Sequence, residues 1–157
     1  MKLAGPILVG LCAASATFAA STAPDDVIFG AYGEAETPLT GAAGDAVKGQ
    51  RIFSEKSLGN CVSCHQLTSL PDVPFQGEVG PVLDGVGSYR TPAELRGILV
   101  NAKMTFDGTV MPAFYKTSGF IRPGDGYTGK AAQEPIQPIL SAQDIEDVVA
   151  FLGTLTD

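Results

Sequence analysis

Three stretches of this chain carry apolar residues at helical spacing, each behind a residue able to start a helix. Ser141 can cap a helix with Asp144 at the third position, and Ile145, Val148, Val149 and Leu152 then recur at i, i+3, i+4 and i+7. This predicts a C-terminal helix with one buried face. Thr91-Pro92-Ala93-Glu94 reads as a capping box with proline at the first helical position, and Leu95, Ile98 and Leu99 continue it as an apolar stripe. From Asp45 to about Glu55, the inward positions Ala46, Gly49, Ile52 and Phe53 predict a first helix. No stretch alternates cleanly enough to require a sheet, so the pattern predicts an all-α protein.

The first twenty residues follow a different rule. Lys2 is followed by an uncharged apolar run from Leu3 to Ala20 and by small residues at Ser21 and Ala23, the arrangement of a secretory signal peptide with cleavage within about 19–22. Pro24 argues against cutting directly after Ala23. An uncleaved membrane anchor is the rival, but the Gly, Ala, Ser and Thr content of the run argues against it. Cys12 lies inside this segment and would be discarded with it, leaving Cys61 and Cys64 in a chain that does not stay in the membrane. The expected organisation is a signal peptide at 1–20, an extension at 21–43 and one domain at 44–157, of a size that leaves room for only a modest core.

Charge narrows the function classes. The formal net charge is -7, and losing Lys2 leaves nine basic against 17 acidic residues, a charge of -8. No nucleic acid partner is implied. Nineteen glycines and eleven prolines are many for 157 residues; they cluster in connections rather than in repeats.

The chemistry is concentrated in Cys61-Val62-Ser63-Cys64-His65. In the C-x-x-C-H pattern two thiols bond covalently to the vinyl groups of a porphyrin and the adjacent imidazole ligates its iron. All three side chains lie within about one helical turn, so they can reach one porphyrin edge and its metal together. A thioredoxin-like dithiol needs a βαβ setting, and a zinc site needs more Cys or His than the mature chain retains. One covalently attached haem c is therefore expected, filling the centre of the small core.

His65 is the only histidine, so a second imidazole from the same chain is impossible and methionine is the natural sixth ligand. Met111 precedes Pro112, which restricts it to an extended conformation able to project the thioether from a loop. Met104 lies close behind the middle helix and reads as core filling. Lys103 would first have to lose a proton and reads as a solvated charge. A His65/Met111 pair saturates the iron and points to electron transfer rather than oxygen or peroxide chemistry. Gly80-Pro81-Val82-Leu83 has two readings, an ordinary turn or a segment passing the proximal face whose backbone carbonyl accepts the imidazole N–H.

Helix, CxxCH, GPxL, helix, MP loop and C-terminal helix occur in the order of class I cytochromes c, and the resemblance covers roughly Gly44 to the C-terminus. More narrowly, the blocks Gly108-Thr109-Val110-Met111-Pro112-Ala113-Phe114-Tyr115-Lys116 and Pro138 to Leu152 resemble the SoxX family of small monohaem cytochromes in bacterial thiosulfate oxidation. The resemblance implies a class I cytochrome c fold, His65 and Met111 as axial ligands, Cys61 and Cys64 as thioether anchors, and Pro81 as the carbonyl acceptor for His65. It also implies a periplasmic heterodimer with a larger SoxA-like cytochrome, which conjugates thiosulfate oxidatively to a cysteine of the SoxYZ carrier. In such a complex, an L-cysteine S-thiosulfotransferase, this chain would accept electrons and pass them to a soluble periplasmic carrier.

Two other functions compete with that expectation: a general periplasmic electron shuttle, and a haem protein that binds a ligand when Met111 leaves the iron. Thr117 to Gln137 and Pro24 to Gly44 could wrap the haem edge or a partner, or form mobile surface chain. Asp144, Glu146, Asp147 and Asp157 read as a solvated acidic face, and Lys103, Lys116, Arg122 and Lys130 as solvated charges or a docking rim around the Met111 loop.

Overall fold

The computed structural model describes residues 21–156; the expected signal segment, with Cys12, and Asp157 lie outside them. Four α-helices are present among the described residues: α1 (Ala46–Ser54), α2 (Val86–Tyr89), α3 (Pro92–Asn101) and α4 (Ala142–Gly153). Apart from an isolated bridge between Gly124 and Ala131, the described residues contain no β structure. The fold is all-α, and three of the helices coincide with the three apolar stripes.

Local chemistry explains where each helix begins. The Asp45 carboxylate accepts from the Val47 and Lys48 amides at the start of α1. Thr91 and Glu94 form a reciprocal capping box on α3, and Ser141 and Asp144 do the same on α4. The short α2 follows Gly85, whose φ of 69° is readily adopted by glycine. One turn is too short to show periodicity, which is why α2 escaped the sequence pattern.

α1 crosses α4 at close range. A Cβ on Gly49 would strike the Asp147 carbonyl and come within 2.8 Å of Phe151 Cβ, so the crossing depends on glycine. Phe53 and Phe151 then meet edge to face, with centroids 5.6 Å apart. The packing places the end of α1, and thus the start of the Cys61 segment, against the C-terminal part of α4.

A buried ion pair joins α3 to α4. Arg96 Nε lies 2.7 Å and Nη2 3.0 Å from the two Glu146 oxygens, Arg96 Nη1 donates to the Ala35 carbonyl at 2.7 Å, and the Leu39 amide donates to Glu146 at 2.7 Å. Asp147, also buried, accepts from the Asp45 amide and from Gln143 Nε2. Glu146 and Asp147 are thus interior acceptors and not part of a solvated acidic face, and Asp144 is committed to its cap. The segment before α1 is equally integrated. Ala35 and Leu39 are only 1% exposed, the Ala35 amide bonds the Ala93 carbonyl, and Tyr115 Oη donates to the Thr22 carbonyl at 2.7 Å. Residues 22–43 pack on α3 and α4 rather than forming loose surface chain.

Candidate functional site

α3 and α4, joined by the Arg96–Glu146 pair, both line a cavity of about 590 Å³. Leu95, Ile98 and Leu99 of α3, Val148 and Leu152 of α4, and Phe53 of α1 supply apolar walls. The helical stripes found in the sequence are therefore cavity walls as well as core. Cys61, Cys64 and His65 line one part of this space and Met111 another.

The Cys61–His65 segment is held by backbone bonds. Asn60 takes a left-handed conformation (φ 50°) and opens a 3-10 turn at Cys61–Ser63, after which the Cys64 and His65 amides both donate to the Cys61 carbonyl. Gly77 and Gly80 return to the motif through bonds to the Val62 and Cys64 carbonyls at 2.8 and 2.7 Å, and Leu83 donates to the Gln66 carbonyl. Gln76 fastens the intervening loop, accepting from the Leu67 amide at 2.6 Å and donating to the Leu70 carbonyl at 2.7 Å. Desolvation pushes the Cys61 thiol up to about 12, so the unmodified side chain stays protonated and neutral rather than acting as a thiolate.

His65 Nδ1 lies 2.8 Å from the Pro81 carbonyl oxygen. A carbonyl can only accept, so this bond places the ring proton on Nδ1 and leaves the Nε2 lone pair free for a metal. Of the two readings of Gly80-Pro81-Val82-Leu83, the close approach to His65 is the one found. Gly80 makes it possible, since a Cβ there would run into the imidazole, 2.6 Å from Nδ1 and closer to Cε1.

Met111 lies on the cavity wall, at the end of a turn whose Gly108 has φ 72°. The Met111 amide donates to Thr109 Oγ1 at 3.2 Å, and Lys103 Nζ donates to the Met111 carbonyl at 2.8 Å. Past Pro112, the loop rejoins α3 through bonds from the Phe114 and Tyr115 amides to the Leu99 and Val100 carbonyls. Met104 is not core filling; its side chain lies outside the cavity and the residue is 48% exposed. Lys103 is not simply solvated. Its contact was invisible in the sequence because eight positions separate donor and acceptor across a turn with no regular period. Lys116 is likewise engaged, with its ammonium 5.0 Å above the Phe120 ring, whereas Arg122 and Lys130 are exposed.

An apolar cavity with two thiols, an imidazole whose second nitrogen is anchored, and a thioether fits a c-type haem in both shape and donor chemistry. The chain belongs to the cytochrome c family, whose profile matches residues 46–156. It carries one haem c, bound covalently, within the class I cytochrome c fold. Among individual proteins, it is 31% identical over 116 residues to cytochrome c2 of Rhodomicrobium vannielii, covering 72% of this chain and 81% of that protein. Among solved structures, it is similar to a chain of the crystal structure of SoxXA from P. pantotrophus, with 58% identity and a TM-score of 0.82 over 87% of this chain and 99% of that one. No helix among the described residues is long and apolar enough to cross a membrane.

Proposed function

We propose that this chain is the electron-accepting monohaem cytochrome of a SoxAX-type complex, paired with a larger SoxA-like cytochrome. The observation carrying this reading is the 58% identity to a SoxXA chain over nearly its whole length, which separates it from the general shuttle that CxxCH and MP alone would equally suit. The sulfur chemistry, joining thiosulfate to a cysteine of a SoxYZ carrier, belongs to the partner. This chain takes up the electrons released there, one at a time, and passes them to a soluble carrier in the periplasm, the compartment to which a signal peptide at residues 1–20 would direct it.

When bound, haem c supplies a one-electron Fe(III)/Fe(II) couple. Cys61 and Cys64 would hold it by thioether bonds, His65 would ligate the iron through Nε2, and Met111 would ligate it through sulfur. The Pro81 carbonyl fixes the tautomer and orientation of His65, and makes the imidazole a better donor. The apolar walls from α3 and α4 exclude water, so little reorganisation accompanies a change of charge. With His65 and Met111 both bound to the iron, an external ligand would have no ready site, which would favour electron transfer over ligand chemistry.

The test is recovery of the native protein from the periplasm of thiosulfate-grown cells at moderate salt, with mass spectrometry of what remains bound. A stoichiometric larger c-type cytochrome is expected. A lone monohaem protein, readily reduced by unrelated donors, would overturn the proposal in favour of a general shuttle.

A further inference from the structure

The Met111 loop is poorly tied where its ligand sits. Between Phe106 and Phe114, the Met111 amide is bonded only to the neighbouring Thr109 hydroxyl, and the loop's first bonds back to α3 come at Phe114 and Tyr115. At Met111 itself, Lys103 reaches the loop from outside it. This residue lies in the 3-10 turn Ala102–Met104 that continues α3, with its own amide bonded to Asn101 Oδ1, and its Nζ donates to the Met111 carbonyl at 2.8 Å. That carbonyl precedes Pro112, which has no N–H and disfavours helical backbone at Met111. The peptide bearing the sulfur is therefore fixed on its N-terminal side by Thr109 and on its C-terminal side by Lys103.

A thioether stands at the end of three rotatable bonds and is a neutral, weak donor, so its hold on iron depends on the backbone keeping it within reach. We infer that Lys103 is the positioning residue for the sixth ligand, a helix-borne clamp that keeps the Met111 sulfur on the iron and small ligands off it. This inference rests on Met111 being that ligand. Lys103 touches neither substrate nor cofactor; it acts through one carbonyl. Its exposed position limits the effect, because water can replace part of the bond.

The experiment uses the haem-loaded protein and the variants Lys103→Met, Lys103→Arg and Met111→Ala. Three signals are read: carbon monoxide binding to the reduced form, the sulfur-to-iron charge-transfer band of the oxidised form, and the helical circular dichroism melt. Lys103→Met is expected to raise carbon monoxide binding about fivefold, the ratio a lost hydrogen bond of modest strength produces, and to weaken the charge-transfer band while leaving the helical melt in place. Lys103→Arg, which retains a donor, is expected to stay within about twofold of the parent. An unchanged Lys103→Met overturns the clamp, as does an Arg variant opened as far as the Met variant, or opening that appears only together with helix melting. Met111→Ala separates the two layers of the argument. If it keeps the band and excludes carbon monoxide, Met111 is not the ligand, whatever Lys103 does.

Discussion

The two sides of the cavity are built by different means. On the His65 side, residues 60–83 form a mesh of backbone bonds: Cys61 O serves two amides, Gly77, Gly80 and Leu83 return to the motif, and the imidazole itself is bonded to Pro81 O at 2.8 Å. On the Met111 side, Met111 itself is held by two side chains, Thr109 and Lys103, and the loop rejoins α3 only at Phe114. A backbone mesh does not depend on rotamers and resists replacement by water; a lysine bond at the surface does neither. The comparison teaches that His65, the proposed proximal ligand, is a fixture of the fold. Met111, the proposed distal one, is kept in place by contacts that single substitutions can remove.

The sharpest way to break this comparison is to attack what lies beneath both sides. Arg96 and Glu146 are each 6% exposed, and Glu146 holds both α3 and the Leu39 amide. Glu146→Ala would leave a buried guanidinium without its counter-charge and should lower stability by about 3–5 kcal/mol. Because α3 carries the Met111 loop and α4 supports α1 and the Cys61 segment, both sides should be lost together. Urea unfolding of the haem-loaded variant, followed by helical signal and by haem absorbance, checks this. Separate midpoints for the two would show that the pair supports only one side.

A smaller effect, confined to one side, comes from Gly80→Ala. The new methyl would overlap the imidazole, and Gly80 also donates to Cys64 O, so ring and loop must separate at a cost of about 1–3 kcal/mol. The variant should accumulate less haem-loaded protein and lose the fixed orientation of His65, seen as altered imidazole resonances in the paramagnetic NMR spectrum. Wild-type resonances and yield would mean that the loop yields without effect, and the contrast between a rigid and a releasable side would fail.

Legibility in the sequence divides along the same line. The three long helices could be read because a cap and an apolar stripe are local signals, and CxxCH could be read because two thiols and an imidazole are nearly adjacent. That Met111 and not Met104 lines the cavity could be anticipated from Pro112, a neighbour in sequence. What escaped depends on distance. Arg96 and Glu146 are fifty positions apart, so Glu146 looked like one more acidic residue near the C-terminus, although its place beside Ile145 on a largely buried helix was the available clue. The 22–43 segment lacks periodicity because it follows the surface of α3 and α4, with Ala35 and Leu39 as isolated anchors. Lys103 escaped because its acceptor is a backbone carbonyl, which carries no residue-type signal.

The smallest effect concerns how acid loosens the distal side. The Glu94 carboxylate accepts from the Thr91 amide at 2.8 Å, a bond that, more than any other, holds its pKa below the ordinary value of 4.5, with Arg90 assisting. A carboxylate whose pKa is lower in the folded state contributes stability fully above its unfolded value, and that contribution disappears as pH falls through the folded one. Glu94 starts α3, and α3 ends in the carbonyls that receive Phe114 and Tyr115, so acid should weaken the anchorage of the Met111 loop. Glu94→Gln should be less stable than the parent by about half a kcal/mol at neutral pH, the low end for an exposed cap, and the two should converge once the pH has fallen below the folded pKa. Urea midpoints of the haem-loaded pair from neutral pH into acid measure the difference. A gap that persists in acid would mean that Glu94 acts by packing rather than by charge, and the acid sensitivity of the distal side would then need another source.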